Sequence, residues 1–200
     1  MQKIFVIIFI CLISLNNFSN LSAKMYKSGT VFEKEIKFTK NFVLPVSDGK
    51  WEVVNSYNFY YYFPFKGNSI IRVENNEAIE FIWVEKARLA GEAMGWIDHA
   101  VNEITFKDKY DGCYERPEYY LLEVYRKGGT HNCLIISHIE TNKEIFTPDD
   151  PLDNNAELKQ YIKENSIILP PIMFSSRHSY FSRLIRGEWY VIRYFAHPKI

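Results

Sequence analysis

The stretch from 119 to 139 reads YYLLEVYRKGGTHNCLIISHI and contains the clearest folding signal in the chain. Two segments rich in apolar and β-branched residues, Tyr119–Arg126 and Thr130–Ile139, flank the pair Gly128-Gly129. Adjacent glycines readily adopt the positive φ angles that a two-residue hairpin turn requires. The stretch therefore predicts two antiparallel strands joined by a tight turn.

Strand patterns continue on both sides of this hairpin. Residues Trp189 to Phe195 are largely apolar on both faces of an extended chain, which is typical of a strand in the middle of a sheet. Further strands are predicted at 30–38, 51–54, 57–65, 69–73, 78–86, 173–184 and 188–196. This pattern predicts one α+β domain over residues 24–200, a twisted antiparallel sheet of about eight strands with one or two helices packed on it.

The segment 57–65, YNFYYYFPF, places an aromatic side chain at every second position. This period of two predicts a single strand, and Pro64 favours an edge or an exit at its end. Lys66-Gly67-Asn68 is then expected to turn the chain, and Glu74-Asn75-Asn76 to separate the next two strands.

Two segments carry helical spacing. Asp153 or Asn154 can cap a helix that runs to about Asn165, with its apolar residues on one face. Apolar residues also recur every three or four positions between 89 and 104, although two glycines weaken that pattern. A short helix over Trp96–Thr105 is expected, and a loop is the alternative for 89–105.

The N-terminus has the form of a secretory signal peptide. A basic start, Met1–Lys3, precedes the apolar run Ile4–Leu15, which is too short for the hydrocarbon core of a bilayer of about 30 Å. Leu21-Ser22-Ala23 offers a cleavage site after Ala23. The sequence therefore predicts removal of residues 1–23 and an exported, periplasmic or secreted chain without a membrane span. An uncleaved N-terminal anchor is the alternative.

Charge and motif content exclude several functional classes. Lys and Arg total 24 and Asp and Glu total 24, so the chain lacks the excess positive charge of a typical nucleic-acid-binding protein. It contains no phosphate-binding loop, dinucleotide fingerprint, zinc-protease helix motif or nucleophile elbow. The cysteines and histidines do not have the spacing of a zinc site, so neither a metal nor a cofactor is expected.

The cysteine count agrees with export. Removing the signal peptide takes away Cys11 and leaves Cys113 and Cys133, an even number that predicts a disulfide in an oxidising compartment. With a two-residue turn, Cys133 lies opposite Val124, so Cys113 must reach it from a neighbouring loop. The bridge would close a loop of about 20 residues and contribute roughly 3 kcal/mol. Two unrelated buried thiols are the alternative.

Aromatic residues make up 16% of the chain. One interpretation is a stacking surface for a flat ligand such as a sugar ring, formed by Trp51, Tyr60, Tyr62 and Trp83. The competing and preferred interpretation is that Phe, Tyr and Trp fill the core of a β-sheet.

A set of widely spaced short motifs and single residues resembles the pattern of a protein family. These motifs and residues are Leu44-Pro45, Gly49-Lys50-Trp51, Cys113, Cys133, His138, Leu169-Pro170-Pro171 and Tyr194 with His197-Pro198. In this order the chain resembles a group of uncharacterised exported proteobacterial proteins over about residues 42–198. It departs from that group after Cys133, where Leu134 stands in place of an expected Trp. The resemblance implies export, a cysteine pair and a single domain, and it implies no activity.

Three functions follow as hypotheses. The favoured one is a non-catalytic exported protein that binds another envelope component, either a protein or a small ligand. The second is a periplasmic hydrolase or thiol enzyme with a site near Cys133, His131 and His138. The third is a carrier of a small apolar ligand, with aromatic strands lining its cavity. We assign no catalytic residue, because the sequence supplies residue types without a catalytic spacing.

Overall fold

The polypeptide forms ten strands and one helix in the parts that the computed structural model describes, residues 25–39, 42–61, 63–88, 119–126, 130–141, 156–182 and 188–200. The strands are β1 (Val31–Phe32), β2 (Glu35–Thr39), β3 (Phe42–Pro45), β4 (Trp51–Tyr61), β5 (Phe63–Glu74), β6 (Glu77–Arg88), β7 (Tyr120–Arg126), β8 (Thr130–Glu140), β9 (Ile172–Ser182) and β10 (Glu188–Ala196). Helix α1 spans Ala156–Glu164. The predicted signal peptide, the helix predicted at 96–105 and Cys113 lie outside these ranges.

Eight of these strands form one antiparallel sheet in the order β1-β4-β5-β6-β10-β9-β8-β7. Strand β10 lies in its interior, hydrogen-bonded to β6 on one side and β9 on the other. This position confirms the prediction of a central final strand. A strand that is covered on both faces needs apolar side chains on both, which β10 has. The α+β prediction is confirmed as well, with a sheet far more extensive than the helix.

The hairpin of β7 and β8 forms at the expected place, but its register differs from the prediction by one residue. Arg126 pairs with Thr130, so three residues separate the paired positions instead of two. Cys133 consequently lies opposite Glu123 and not Val124. The prediction of a two-residue turn was wrong, because two adjacent glycines are also compatible with a longer hairpin connection.

The aromatic segment is a hairpin and not a single strand. Tyr61 pairs with Phe63, so β4 and β5 form a hairpin, and residues 66–68 continue β5. Gly67 pairs with Tyr57, whose ring lies against it; a Cβ at Gly67 would stand 2.3 Å from two ring carbons. The glycine that suggested a turn therefore permits close packing of a tyrosine ring. The turn predicted at Asn75 and Asn76 is confirmed, and both residues have a positive φ.

The two faces of the sheet are covered by different elements. Strands β2 and β3 form a two-stranded ribbon. The segment predicted as one strand at 30–38 is divided between β1 and β2. The ribbon packs Ile36 and Phe38 against buried side chains of β4, β5 and β6 on what we call the ribbon side. Helix α1 packs Leu158 and Ile162 on the other face, the helix side. The result is two apolar cores separated by the sheet.

A charged network lies beneath the ribbon. The Arg72 guanidinium donates to the carboxylates of Glu80 and Glu74, and both Arg72 and Glu80 are buried. Glu80 also accepts hydrogen bonds from the hydroxyls of Ser47 and Tyr194. Burial and the Glu80 carboxylate raise the pKa of Tyr194, which keeps it protonated as a donor. Both carboxylate oxygens of Glu80 are thus satisfied, and the network links β5, β6 and β10.

Candidate binding surface

The two tryptophans predicted to stack a ligand lie in different cores. Trp51 is fully buried on the ribbon side, and its indole N–H donates to the Ser47 carbonyl at 2.9 Å. Trp83 is buried on the helix side, edge-on to Phe195 with 4.8 Å between ring centroids. The sheet therefore separates these two indoles and does not bring them together. Tyr60 is in β4, Tyr62 lies outside the described residues, and a ligand role for them stays a prediction.

The proposed thiol site is divided in a similar way. Cys133 is buried and belongs to the face of β8 that points to the helix side, as Ile139 does. His138 is exposed on the opposite face, five positions along the strand, which is about 17 Å away. His131 lies in β8 two positions before Cys133. Cys133 and His138 consequently cannot form a nucleophile–base pair in this arrangement.

His197 anchors the C-terminal residues. Its Nε2 lies 3.0 Å from the Glu77 carboxylate, and its Nδ1 accepts the backbone N–H of Lys199 at 3.0 Å. Because Nδ1 accepts, Nε2 carries the proton and donates it to Glu77. This hydrogen bond, with the nearby Lys199, lowers the pKa of Glu77. Both ring nitrogens of this buried histidine are engaged, which leaves no nitrogen for proton transfer to a ligand.

A row of polar side chains crosses the helix side of the sheet. The Tyr57 hydroxyl donates to Glu85 at 3.2 Å, and the Arg193 guanidinium carbon lies 5.9 Å from the Trp83 ring centroid. Burial raises the pKa of Tyr57, and the negative charge of Glu85 raises it further. A tyrosine held protonated is a hydrogen-bond donor and not a base. The row therefore links β4, β6 and β10.

The ribbon covers only part of its side of the sheet. Its cluster draws side chains from β4, β5, β6 and β10, and Phe42 of β3 reaches Tyr190 with 4.3 Å between ring centroids. The sheet continues past Tyr190 with β9, β8 and β7. In each of these strands, every second residue lies on the same side of the sheet as Tyr190, as the strand pairing shows. We call this half the open face. Among the residues whose side chains the structure describes, it comprises Tyr119, Tyr120, Leu122, Asn132, Leu134, Ile136, His138, Glu140, Ile172, Phe174, Ser176, His178 and Tyr180.

The open face is apolar and exposed. The exposed fractions are 59% for Tyr119, 47% for Tyr120, 37% for Leu122 and 48% for Phe174. Glu140, exposed at the margin of the face, is the one Asp, Glu, Lys or Arg in this set, and Arg126 occupies a register position of the same face at the end of β7. Contiguous exposed apolar patches are uncommon on soluble proteins and often mark interaction sites. Depletion of charge together with enrichment of aromatic residues is typical of the centre of a protein interface.

Polar side chains on the open face bond to one another. His178 Nε2 lies 2.6 Å from Asn132 Oδ1, and the Tyr119 hydroxyl lies 3.3 Å from His138 Nδ1. The Tyr119 ring also approaches Phe174 edge-on, with 6.2 Å between centroids. Partial burial lowers the pKa of His178, which favours the neutral imidazole. These contacts reduce the cost of removing water from the face.

Sequence reasoning did not identify this surface. Strand β8 is apolar on both of its faces, with Cys133 and Ile135 on one side and Leu134 and Ile136 on the other. Such a strand suggests burial on both sides, and nothing local indicates which side remains uncovered. No local signal could have found it, because the ribbon that leaves this half uncovered was itself not predicted as a separate pair of strands.

Three findings complete the description. No helix within the described ranges is long and apolar enough to cross a membrane. Among the same residues, no group of three or more His, Cys, Asp or Glu side chains is placed to hold a metal ion. No family model, curated protein or solved structure matches the chain.

Proposed function

We propose that this chain is a non-catalytic exported protein that binds another protein through its open face. The observation that carries the proposal is an exposed half-sheet rich in aromatic and aliphatic side chains, on which Glu140 at the margin is the one Asp, Glu, Lys or Arg among the described side chains. A large hydrophobic surface has a free-energy cost in water, and covering it on a partner recovers roughly 25 cal/mol for each Å² of apolar area. The strands that present the face are rigid elements, as a recognition surface requires.

Export and a Cys113–Cys133 disulfide are part of the proposal. The apolar run at 4–15 and the cleavage site at Ala23 support export. Burial of Cys133 at the junction of β7, β8 and β9 supports a structural and not a catalytic role for it. The intact mass of the exported protein tests both points. It should correspond to a chain that begins at Lys24 and has lost two thiol hydrogens.

The open face favours protein binding over the two other functions. A thiol enzyme using both Cys133 and His138 would need them on one side of the sheet, and they lie on opposite sides. A carrier would use its aromatic residues to line a cavity, whereas Trp51 and Trp83 pack within the two cores. A broad exposed sheet surface matches a flat partner better than a small molecule, which usually occupies a concave pocket.

Site-specific photo-crosslinking in the native envelope tests the proposal. Tyr120→p-benzoylphenylalanine places the photoreactive group on the open face, and Gln160→p-benzoylphenylalanine places it on the exposed side of α1 as a control. We expect a discrete adduct from position 120 only. Adding Leu122→Lys should abolish that adduct, because it places a charge within the apolar surface. Adding Val43→Lys, at the similarly exposed Val43 of the ribbon, should preserve it.

An absence of any adduct from position 120 would contradict the proposed function. The same adducts from positions 120 and 160 would contradict it as well, because contact would then not be specific to the open face.

A further inference from the structure

We infer that protonation of His178 releases the partner, so that the open face binds at neutral pH and dissociates in mildly acidic conditions. The inference rests on the proposed function and adds the regulation of that same surface. Histidine is the side chain that ordinarily changes its charge in this range of pH. One proton on His178 would place a positive charge within an apolar contact.

His178 lies where a partner on the open face has to cover it. Its register partners are Leu134 of β8 and Ile192 of β10, so apolar side chains lie on both sides of it. The imidazole is already partly buried in the free chain. A flat partner that covers β8 and β9 therefore removes the remaining water from this ring.

The two ring nitrogens of His178 have different surroundings. Nε2 lies 2.6 Å from Asn132 Oδ1, and a carboxamide oxygen can only accept, so Nε2 carries the proton of the neutral ring. Acid then adds its proton at Nδ1, to which no side chain or backbone group within the described ranges offers a hydrogen bond. Water solvates the added charge in the free chain, and a docked apolar surface would take that water away.

No described carboxylate on this side of the sheet is placed to compensate the charge. Glu140 pairs with Ile172, six positions from His178 along β9, which is about 20 Å. Glu80 of β6 is already bonded to Arg72 within the buried network. A protonated His178 would therefore have no acidic neighbour to stabilise it beneath a partner.

The other titratable groups near His178 on this side are cationic or uncharged in this range of pH. The Lys86 ammonium lies 4.9 Å from the Tyr190 ring centroid, and Arg126 occupies the hairpin end of the face. His138 pairs with Phe174, four positions along β9 and about 13 Å away. The remaining groups are phenols, which carry no charge at neutral or acidic pH: Tyr120, Tyr180, Tyr190 and Tyr194.

Docking and protonation consequently oppose each other. Partial burial lowers the pKa of His178 in the free chain, and a partner that completes the burial would lower it further. Affinity is then unaffected while the pH stays above the pKa of the free chain. Below that value it falls by up to about tenfold for each pH unit, until the pKa of the bound state is reached.

The photo-crosslinking assay at position 120, carried out in envelope preparations buffered at about pH 7.5 and about pH 5.0, tests the inference. The wild-type adduct should be about fivefold or more weaker at the lower pH and should return when the pH is restored. His178→Gln stays neutral and can still donate to Asn132, so its adduct should change by less than about twofold. His178→Lys carries a permanent charge and should give a weak adduct already at the higher pH. Circular dichroism at both pH values checks that each protein is folded.

A wild-type adduct that is equally strong at both pH values would overturn the inference and leave the proposed function standing. An equal loss in wild type and His178→Gln would overturn it as well, because another group would then be responsible. So would a loss that is not recovered at neutral pH, since unfolding would explain it. An absence of any adduct at either pH would refute both the inference and the proposed function.

Discussion

Single side chains show how closely the sheet is packed. Gly67 has no positive φ to explain it, yet the Tyr57 ring occupies the position that any Cβ would need. The ring is held there by its hydroxyl, which donates to Glu85 on β6. The requirement for glycine thus arises from a contact between neighbouring strands and not from the backbone conformation. Residues 66–68 contain turn-forming residue types, which is why the sequence alone suggested a turn there.

Gly67→Ala should reduce stability by about 1–3 kcal/mol through overpacking against the tyrosine ring. The same substitution in a Tyr57→Ala background should cost much less, because the ring is then absent. Urea unfolding of the four proteins in this double-mutant cycle measures the coupling. Equal costs in both backgrounds would show that the ring does not restrict position 67.

His178 should make the free energy of unfolding depend on pH in the mildly acidic range. Its pKa is below the ordinary value of 6.5 in the folded chain because burial disfavours the charged imidazole. As the pH falls through 6.5, the unfolded chain takes up the proton first, so the folded state loses stability relative to it. His178→Gln removes this contribution. Wild type should therefore lose more unfolding free energy than the variant between pH 7 and pH 5, and identical losses would contradict the assignment.

At the scale of elements, β10 is the strand on which both cores depend. Trp189, Val191 and Phe195 are buried on the helix side, and Ile192 and Tyr194 pack under the ribbon. This dual role was predictable, because a run that is apolar on both faces has to be covered on both. The reversal between Tyr61 and Phe63 was not predictable, because the residues at 59–63 are all aromatic residues that favour strands. Long-range strand pairing decides where that segment reverses.

Val191→Asp should destabilise the fold by more than about 3 kcal/mol, since it buries a carboxylate. The new charge would also lie directly across from Glu85, the register partner of Val191 on β6. Val43→Asp, on an exposed face of the ribbon, should cost less than about 1 kcal/mol. Thermal unfolding compares the two variants. A Val191→Asp protein that melts within a few degrees of wild type would place β10 at the surface.

At the scale of the whole molecule, coverage of the sheet is uneven. Within the described ranges, the ribbon and α1 cover β4, β5, β6 and β10 from both sides, while the ribbon side of β7, β8 and β9 presents several exposed apolar side chains. The fold class and most strands follow from local patterns, but this uneven coverage depends on which distant segments pack together. The candidate surface could therefore be found only from the tertiary structure. Its apolar character on an exposed face is the basis of the proposed function.

Hydroxyl-radical footprinting with mass spectrometry tests the central claim, that the open face is exposed in the free chain and covered in its native setting. Labelling of Tyr120 and Phe174 should be strong in dilute purified protein and several-fold weaker in the intact envelope. Val43, an exposed reference on the ribbon, should be labelled to a similar extent in both. Equal labelling of Tyr120 and Phe174 in the two settings would contradict the claim that this face binds a partner.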